Sequence, residues 1–436
     1  MNFDTNFVNN VIPSNPLADI DPIVIIDGCR TPILKAKKNK NELILAPKVD
    51  RLLVACLKGL LTRTDINVDL IDDIIVGNVL QPGAGAAMSR MSALEVGIPH
   101  TTSIATVNRQ CSSGLQAIAV IAGSLLMGSI DIGIAAGVES MTHDGNAMFT
   151  KPNLEWNFIQ KIPAAIACTL PMGVTSDNVA IKFNITRSEQ DLFAMESHRR
   201  AKLAQIRGEY AQEIIPVPIP STTLFGKIIG SNSGQYYEND DGIRHDCTLV
   251  GLKKLKTAFT SESKGGTTTA GNASQRSDGA AAVLMMRLSR AKQLGYQPLI
   301  VLRSFAVKGV SPELMGIGPA IAIPEALKQA QLTINQIDLF EINEAFASQC
   351  LYCIQYLGLD SNKVNPGGGG IALGHPLGST GTRLIVSAMY RLRREQKRYA
   401  VVSMCIGTGM GAAAVIENTA YMYDPQPDAF NPNSKL

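Results

Sequence analysis

Gly279-Ala-Ala-Ala-Val283 recurs as Gly411-Ala-Ala-Ala-Val415, and the order of elements before each copy decides the fold. Before the second copy come Pro298-Leu-Ile-Val-Leu302, a helical stretch from Ile323 to Gln331, Ile337-Asp-Leu-Phe-Glu-Ile-Asn343, Lys363-Val-Asn-Pro366, and Tyr399 to Gly407. Before the first copy the same grammar appears. It runs through Asp21-Pro-Ile-Val-Ile-Ile-Asp27, a helical stretch from Pro47 to Leu61, Ile71 to Leu80, a helix around Met88 to Val96, Thr106-Val-Asn-Arg109, and Ile130 to Ser140. Short β-branched runs bounded by turn residues read as buried strands. Strands alternating with helices predict an α/β protein whose mostly parallel sheet is covered on both faces. In the second half the pentapeptide follows its strand almost at once. In the first half everything from about Ser140 to Ser277 intervenes.

The chain is therefore expected to hold two duplicated βαβαβ-type halves, the first carrying an inserted loop domain. The expected division is a tail at 1–20, a first half at 21–140 plus 277–296, the insert at 141–276, a second half at 297–420 and a tail at 421–436. The insert reads as helical from Thr175 to Arg207, then Pro-, Ser- and Gly-rich to Gly242. A Lys-rich loop, Lys35 to Lys40, lies in the first half. Duplication sets equivalent loops face to face at the junction, where clefts form.

The totals agree with a large core. The 436 residues are 45% hydrophobic, enough for two or three domains. A net charge of +3 gives no global field for nucleic acid, although Lys253, Lys254 and Lys256 could serve an anionic ligand. The eight cysteines lack the regular spacing of a disulfide framework. Cys350-Leu-Tyr-Cys353 has redox-motif spacing but sits in an apolar helical run, where two buried small residues are expected. No apolar run reaches the roughly 18 residues needed to span a bilayer. The Asn-rich stretch Met1 to Asp21 lacks the basic and apolar regions of a secretory signal. Ser434-Lys435-Leu436 matches the tripeptide by which a receptor sorts proteins to the peroxisome.

Chemistry gathers at strand ends near the junction. In Val107-Asn-Arg-Gln-Cys-Ser-Ser-Gly-Leu-Gln116 a strand-like lead-in meets a small-residue helix, Leu115 to Met127, which places Cys111 in a tight turn at a helix mouth. Unpaired N–H groups and the positive dipole end there are expected to favour thiolate over thiol. The second half's counterpart is Asn365-Pro-Gly-Gly-Gly-Gly-Ile-Ala-Leu-Gly-His-Pro-Leu-Gly-Ser-Thr-Gly381, where glycines leave little side-chain competition around His375. Paired with Cys111, His375 would take the thiol proton. Ser403-Met-Cys-Ile-Gly-Thr-Gly-Met-Gly411 adds Cys405, a thiol suited to acid and base work, and Gly407, whose bare N–H suits an oxyanion hole. Asn343 brings a carboxamide to another strand end.

Cys-Ser-Ser-Gly-Leu-Gln, Asn-Glu-Ala-Phe-Ala, Gly-Gly-Gly-Ile-Ala-Leu-Gly-His-Pro and Cys-Ile-Gly-Thr-Gly-Met-Gly resemble the motifs of the thiolase family over about residues 22 to 418. Asp241-Gly-Ile-Arg244, Met172 to Asn178 and Ser277-Asp-Gly-Ala-Ala look most like the peroxisomal 3-ketoacyl-CoA thiolases. The resemblance implies a layered α-β-α-β-α core and an acyltransferase of fatty acid β-oxidation. It makes Cys111 the acyl-accepting nucleophile, His375 its base and Cys405 the second acid and base. Asn343, through a water, and His375 would hold the enolate oxygen, with the N–H groups of Cys111 and Gly407 as the oxyanion hole. Ser274 and Arg244 would contact CoA, Met172 would line the acyl pocket, and Ala345 and Phe346 would border the substrate. CoA enters as co-substrate, with no permanently bound cofactor and no metal.

A homodimer or homotetramer, a peroxisomal import receptor as partner, and no nucleic acid complete that picture. Pro171 stands where acetoacetyl-CoA-specific members usually have His, which favours longer chains. An acetoacetyl-CoA thiolase, a condensing ketosynthase and a non-catalytic acyl-CoA-binding relative are the alternatives. Cys405 argues against the ketosynthase, and retention of Cys111, His375 and Cys405 together argues against the binding relative.

Overall fold

Runs of β-branched and small residues form strands β1 (Ile23–Arg30), β2 (Asp73–Gly77), β3 (Ser103–Val107), β4 (Ile132–Ser140) and β5 (Ser277–Arg287) of the first half. The second half contributes β6 (Ile300–Gly309), β7 (Leu339–Ile342), β8 (Tyr399–Ile406) and β9 (Met410–Asn418). The computed structural model describes residues 21–37, 43, 45–145, 147, 153–220, 222–224, 227–229 and 235–421. The tail 1–20, part of the Lys35–Lys40 loop and Ser434-Lys435-Leu436 lie outside the described residues.

The strands join in the order β7-β8-β9-β6-β1-β5-β4-β2-β3. Read outward from the β1–β6 seam, the halves mirror each other. The sequence β1-β5-β4-β2-β3 answers β6-β9-β8-β7, with Val364 bridging Phe340 in parallel where β3 pairs β2. The seam itself is two residue pairs, Val24↔Val301 and Ile25↔Ile300. In the second half β8 and β9 form a tight hairpin with Ile406 opposite Met410. In the first half Ser140 lies opposite Asp278, so residues 141–277 leave and re-enter at one point of the same hairpin.

The sheet is mixed rather than mostly parallel. β2 pairs β3 and β4 in parallel, as β7 pairs β8, whereas β1, β5, β6 and β9 make antiparallel pairs. Each Gly-Ala-Ala-Ala-Val strand pairs with the strand before it as the second arm of a hairpin, directly in the second half and after the insert in the first, and hairpin arms are antiparallel.

Helices α1 (Val49–Thr64), α2 (Ala86–Glu95) and α3 (Ser113–Leu126) belong to the first half. The insert carries α4 (Met172–Lys182) and α5 (Arg187–Ile206); the second half has α6 (Gly318–Ala330), α7 (Ala347–Leu357) and α8 (Leu377–Arg394). The helical run expected from Thr175 to Arg207 is two helices. Asn184 adopts a left-handed conformation (φ 56°), and Thr186 with Glu189 restarts the chain in a capping box. β6 outruns Pro298–Leu302 because its later residues are half-exposed and lack a continuous apolar signal.

Side-chain alternation along the strands builds five layers. Val283 and Met285 face a central cluster with Leu115 and Ile118 of α3, Leu384 and Ile385 of α8, and Val402 and Met404 of β8. Leu284, between them, faces outward to Leu52, Leu57 and Leu60 of α1. On the far side Ile323 and Leu327 of α6 and Cys350 of α7 cover Val401 and Val415. The α3–α8 pair is thus the middle layer, packed on both halves. Cys350 and Cys353 are both buried on α7.

The insert is tied down by charge. Arg30 of β1, wholly buried, donates Nε to Glu213 (2.8 Å) and both terminal nitrogens to Asp240 (2.8 and 2.9 Å). Asp177 of α4 accepts the N–H groups of Thr267 and Thr268 at 2.9 and 2.8 Å.

At the N-termini of α3 and α8 backbone meets backbone. A Cβ on Gly137 would lie 2.1 Å from the Gly378 carbonyl oxygen, and one on Gly381 would lie 2.2 Å from the Leu115 nitrogen. Gly123, inside α3, would place its Cβ in open space. Gly137→Ala is therefore expected to destabilise the fold by about 1–3 kcal/mol through overpacking. Gly123→Ala should stabilise it by roughly 0.5–1 kcal/mol through helix propensity. Thermal melts of the two variants at one scan rate check this; equal shifts would refute the close approach.

Candidate active site

The chain reaches Cys111 through a turn that an extended strand cannot make. Gln110 sits in the left-handed region (φ 48°), and the Asn108 side chain accepts its N–H at 3.0 Å. The N–H groups of Ser112 and Ser113 bond back to Arg109 and Gln110 at 3.1 Å, and α3 begins there. Across the junction the β8–β9 turn carries Thr408 at φ 70° and Gly409 at φ 93°. This turn presents the Gly407 N–H to the Cys111 sulfur, which also lies at its own backbone N–H. Two N–H donors thus meet at the Cys111 sulfur.

The thiol is not lowered by its helix. Burial pushes Cys111 above its usual range and outweighs the N–H groups of Gly407 and Cys111, while the Glu139 carboxylate adds to the rise. The expectation of a resting thiolate is thus corrected. Desolvation of a charge exceeds the dipole of one helix end.

His375 is buried beside its own helix. Its Nδ1 lies 2.6 Å from Thr380 Oγ1, its Nε2 lies 3.3 Å from Asn343 Nδ2, and its backbone N–H bonds Gln275 O at 3.1 Å. Burial, helped by the Arg383 guanidinium, pushes its pKa down to about 3. Arg383 is itself fully buried, 4.0 Å from Glu341, and its side-chain nitrogens have no hydrogen-bond partner among the described residues. Asn343 is equally buried, and its Oδ1 has no partner among the described residues.

Cys405, at the end of β8, packs with Met315, Ala345 and Phe346 and touches Met172 and Ala273. Burial raises its pKa well above the usual thiol value, with Cys111 the next cause. The Met172 sulfur would stand 3.5 Å from a Cβ on Gly407. The Ser274 N–H bonds the Ala345 carbonyl (3.0 Å), which aligns the 272–274 segment with the Asn343–Ala347 turn. Arg244 stands further along that side. Its N–H bonds His198 Nδ1 at 3.1 Å, and its loop meets Gln275 through Gly242 O at 2.7 Å.

The structure thus groups Cys111 with Gly407, His375 with Asn343, and Cys405 with Ala345, Phe346 and Met172. Two residues escaped the sequence reading. Thr380 lies on the turn after His375-Pro376, and its only signal was a hydroxyl in the first turn of a helix. Glu139 ends β4; it accepts from Val79 N and Gly378 N (3.1 Å each), Leu80 N (3.2 Å) and Asn78 Nδ2 (3.4 Å), and burial lifts it to about 7. Among the described residues no group of three or more His, Cys, Asp and Glu side chains is placed to hold a metal, and no helix is long and apolar enough to cross a membrane.

Comparison with known proteins agrees with this geometry. The family description "Thiolase, N-terminal domain" matches residues 23–289, and "Thiolase, C-terminal domain" matches residues 296–418. The chain is 51% identical to 3-ketoacyl-CoA thiolase B, peroxisomal, of Rattus norvegicus, over 92% of each chain. It is 49% identical to the peroxisomal 3-ketoacyl-CoA thiolase of Homo sapiens, again over 92% of each. The dimeric peroxisomal thiolase of Saccharomyces cerevisiae superposes with a TM-score of 0.83 at 43% identity, covering 91% of this chain and 97% of that one. This chain belongs to the thiolase family.

Proposed function

We propose that the protein is a 3-ketoacyl-CoA thiolase of peroxisomal β-oxidation, cleaving 3-ketoacyl-CoA with CoA to acetyl-CoA and a shortened acyl-CoA. One observation carries the reading: the Cys111 sulfur faces the Gly407 N–H, while the buried His375 imidazole precedes the facing helix α8 and the buried Cys405 thiol stands near the end of β8. The identity to peroxisomal 3-ketoacyl-CoA thiolases and the Ser434-Lys435-Leu436 terminus support the substrate class and the compartment. That tripeptide would engage the import receptor.

In this mechanism His375 Nε2 takes the Cys111 proton and the thiolate attacks the C3 carbonyl. The N–H groups of Cys111 and Gly407 hold the resulting oxyanion. The C2–C3 bond breaks, leaving an acyl group on Cys111 and a thioester enolate. The protonated His375 and a water on Asn343 hold the enolate oxygen. Cys405 gives its proton to C2, and acetyl-CoA leaves. The Cys405 thiolate then takes the proton of the incoming CoA thiol, whose sulfur attacks the acyl group. Cys111 departs and recovers its proton from His375. Ser274 and Arg244 would hold CoA, with Met172, Ala345 and Phe346 lining the acyl site; CoA is a co-substrate, and no permanently bound cofactor is required.

The domain division proposed is 21–140 with 277–296, the insert 141–276, and 297–420; the mirrored strand order and the two family matches, which part between 289 and 296, support it. A homodimer is proposed through β3, the outer strand of its half and partly exposed along its length. Sedimentation equilibrium is expected to give twice the chain mass; a monomer would exclude that assembly, and four chains would extend it.

The deciding assay follows the ultraviolet absorbance of Mg²⁺-complexed 3-ketoacyl-CoA as CoA is added. Loss should be faster with a sixteen-carbon than a four-carbon substrate, and Cys111→Ala should abolish it. Cys405→Ser should reduce it by about 10²–10⁴-fold, the range for a lost acid–base group. No loss with either substrate would sink the proposal, and loss with the four-carbon substrate alone would move it to acetoacetyl-CoA.

The resting pair is neutral, since burial holds the Cys111 thiol up and the His375 imidazole down. Alkylation of Cys111 by iodoacetamide should therefore rise only at alkaline pH, with no step near the ordinary imidazole value of about 6.5. A step there would reveal an imidazolium–thiolate pair and overturn the assignment.

A further inference from the structure

A neutral imidazole carries one N–H and one lone pair, and its neighbours decide which nitrogen bears which. The surroundings of His375 admit two arrangements. In the first, Asn343 Nδ2–H donates to Nε2 (3.3 Å), Nδ1–H donates to Thr380 Oγ1 (2.6 Å), and the Thr380 hydroxyl donates to the Pro376 carbonyl (2.9 Å). In the second, ring and amide are both reversed: Nε2–H donates to Asn343 Oδ1 and the Thr380 hydroxyl turns to Nδ1. Its single hydrogen then leaves the Pro376 carbonyl.

The first arrangement makes one hydrogen bond more. It also leaves the Asn343 Oδ1, which has no partner among the described residues, as an acceptor to which a water can donate. We propose that Thr380 is a positioning residue for His375: its hydroxyl oxygen accepts the Nδ1–H, which leaves Nε2 unprotonated, its lone pair held only by the long 3.3 Å contact with Asn343 Nδ2 and able to take a proton in that contact's place. Thr380 is fully buried in the first turn of α8, so backbone geometry fixes its oxygen against the ring. Arg383, one turn further along α8, opposes a second proton on the ring, and Glu341 of β7 lies 4.0 Å from that guanidinium. Without the hydroxyl the ring is free to take the other tautomer, whose Nε2 already holds a proton and cannot accept one from Cys111.

This inference rests on His375 acting as the base of the proposed reaction, but its first test needs no turnover. The full chain, labelled with ¹⁵N-histidine, is examined by long-range ¹⁵N–¹H correlation near neutral pH. The His375 signal is identified by its loss in His375→Asn. The expected result is a protonated Nδ1 and a bare Nε2 in the wild type, the same in Thr380→Ser, and a mixed or reversed pattern in Thr380→Val. In parallel, Thr380→Val should lower kcat by about 10²–10³-fold with a smaller change in KM, in line with the cost of a wrong histidine tautomer or a lost base. Thr380→Ser should restore kcat to within a few fold.

A protonated Nε2 in the wild type would overturn the inference, as would a Thr380→Val enzyme with unchanged tautomer and kcat. The expected tautomer in a wild type that cleaves no 3-ketoacyl-CoA would uphold the Thr380 contact and sink the thiolase reading instead.

Discussion

The structure depends on two helices starting at one place. The first turns of α3 and α8 meet each other and the ends of β2 and β4 through Gly77, Gly114, Gly137, Gly378 and Gly381, where an added Cβ would fall inside backbone atoms. Such an approach puts Thr382 Oγ1 within 3.0 Å of the Gly114 carbonyl. It also fixes where the helices point their leading residues. Cys111 lies just before one helix and His375 just before the other, so the backbone contact that seals the middle layer also sets where both side chains start. A site on two separate loops would need other restraints to reach such precision.

Electrostatics of the site follow from that enclosure. Removing solvent raises the Cys111 and Cys405 thiols and Glu139 and lowers His375, so each of these four groups is driven toward its neutral form. In the proposed reaction a neutral thiol–imidazole pair must separate charge, and its surroundings would supply what that charge needs. There Gly407 and Cys111 would offer N–H donors to the oxyanion. Glu139, which gathers Val79, Leu80, Asn78 and Gly378, ties the first half to the start of α8.

The repeated pentapeptide made the duplication legible, because small residues that let helices approach a sheet recur at equivalent strands. The motifs around Cys111, His375 and Cys405 stand out in the sequence because Gly-rich turns next to reactive side chains have little other use, and Asn343 stands out by its place at a strand end. Strand direction was hidden, since β5 and β9 differ from parallel strands only in what precedes them, and a long insert masks that in the first half. The resting charge of Cys111 was misread because the helix end is a local signal and burial is a tertiary one. Thr380 and Glu139 stayed invisible because their partners, His375 and Gly378 among them, converge only through packing of helix on strand.

Duplication also explains how unlike chemistry came to sit at like positions. In the β4–β5 ladder Glu139 stands opposite Gly279; in the β8–β9 ladder Cys405 stands opposite Gly411. The same register makes Asn78 the counterpart of Asn343. Asn78 spends its amide on structure, donating to Val138 O at 2.9 Å and accepting from Gln81 N at 3.2 Å, whereas Asn343 turns its amide to His375. Each pair holds one member locked into the scaffold and one left with an unsatisfied or reactive atom. The insert leaves from the hairpin of the scaffold half and returns α4 and Met172 against the Gly407 turn of the other. One half therefore ties Asn78 and Glu139 into the scaffold, while its twin carries Asn343, His375 and Cys405.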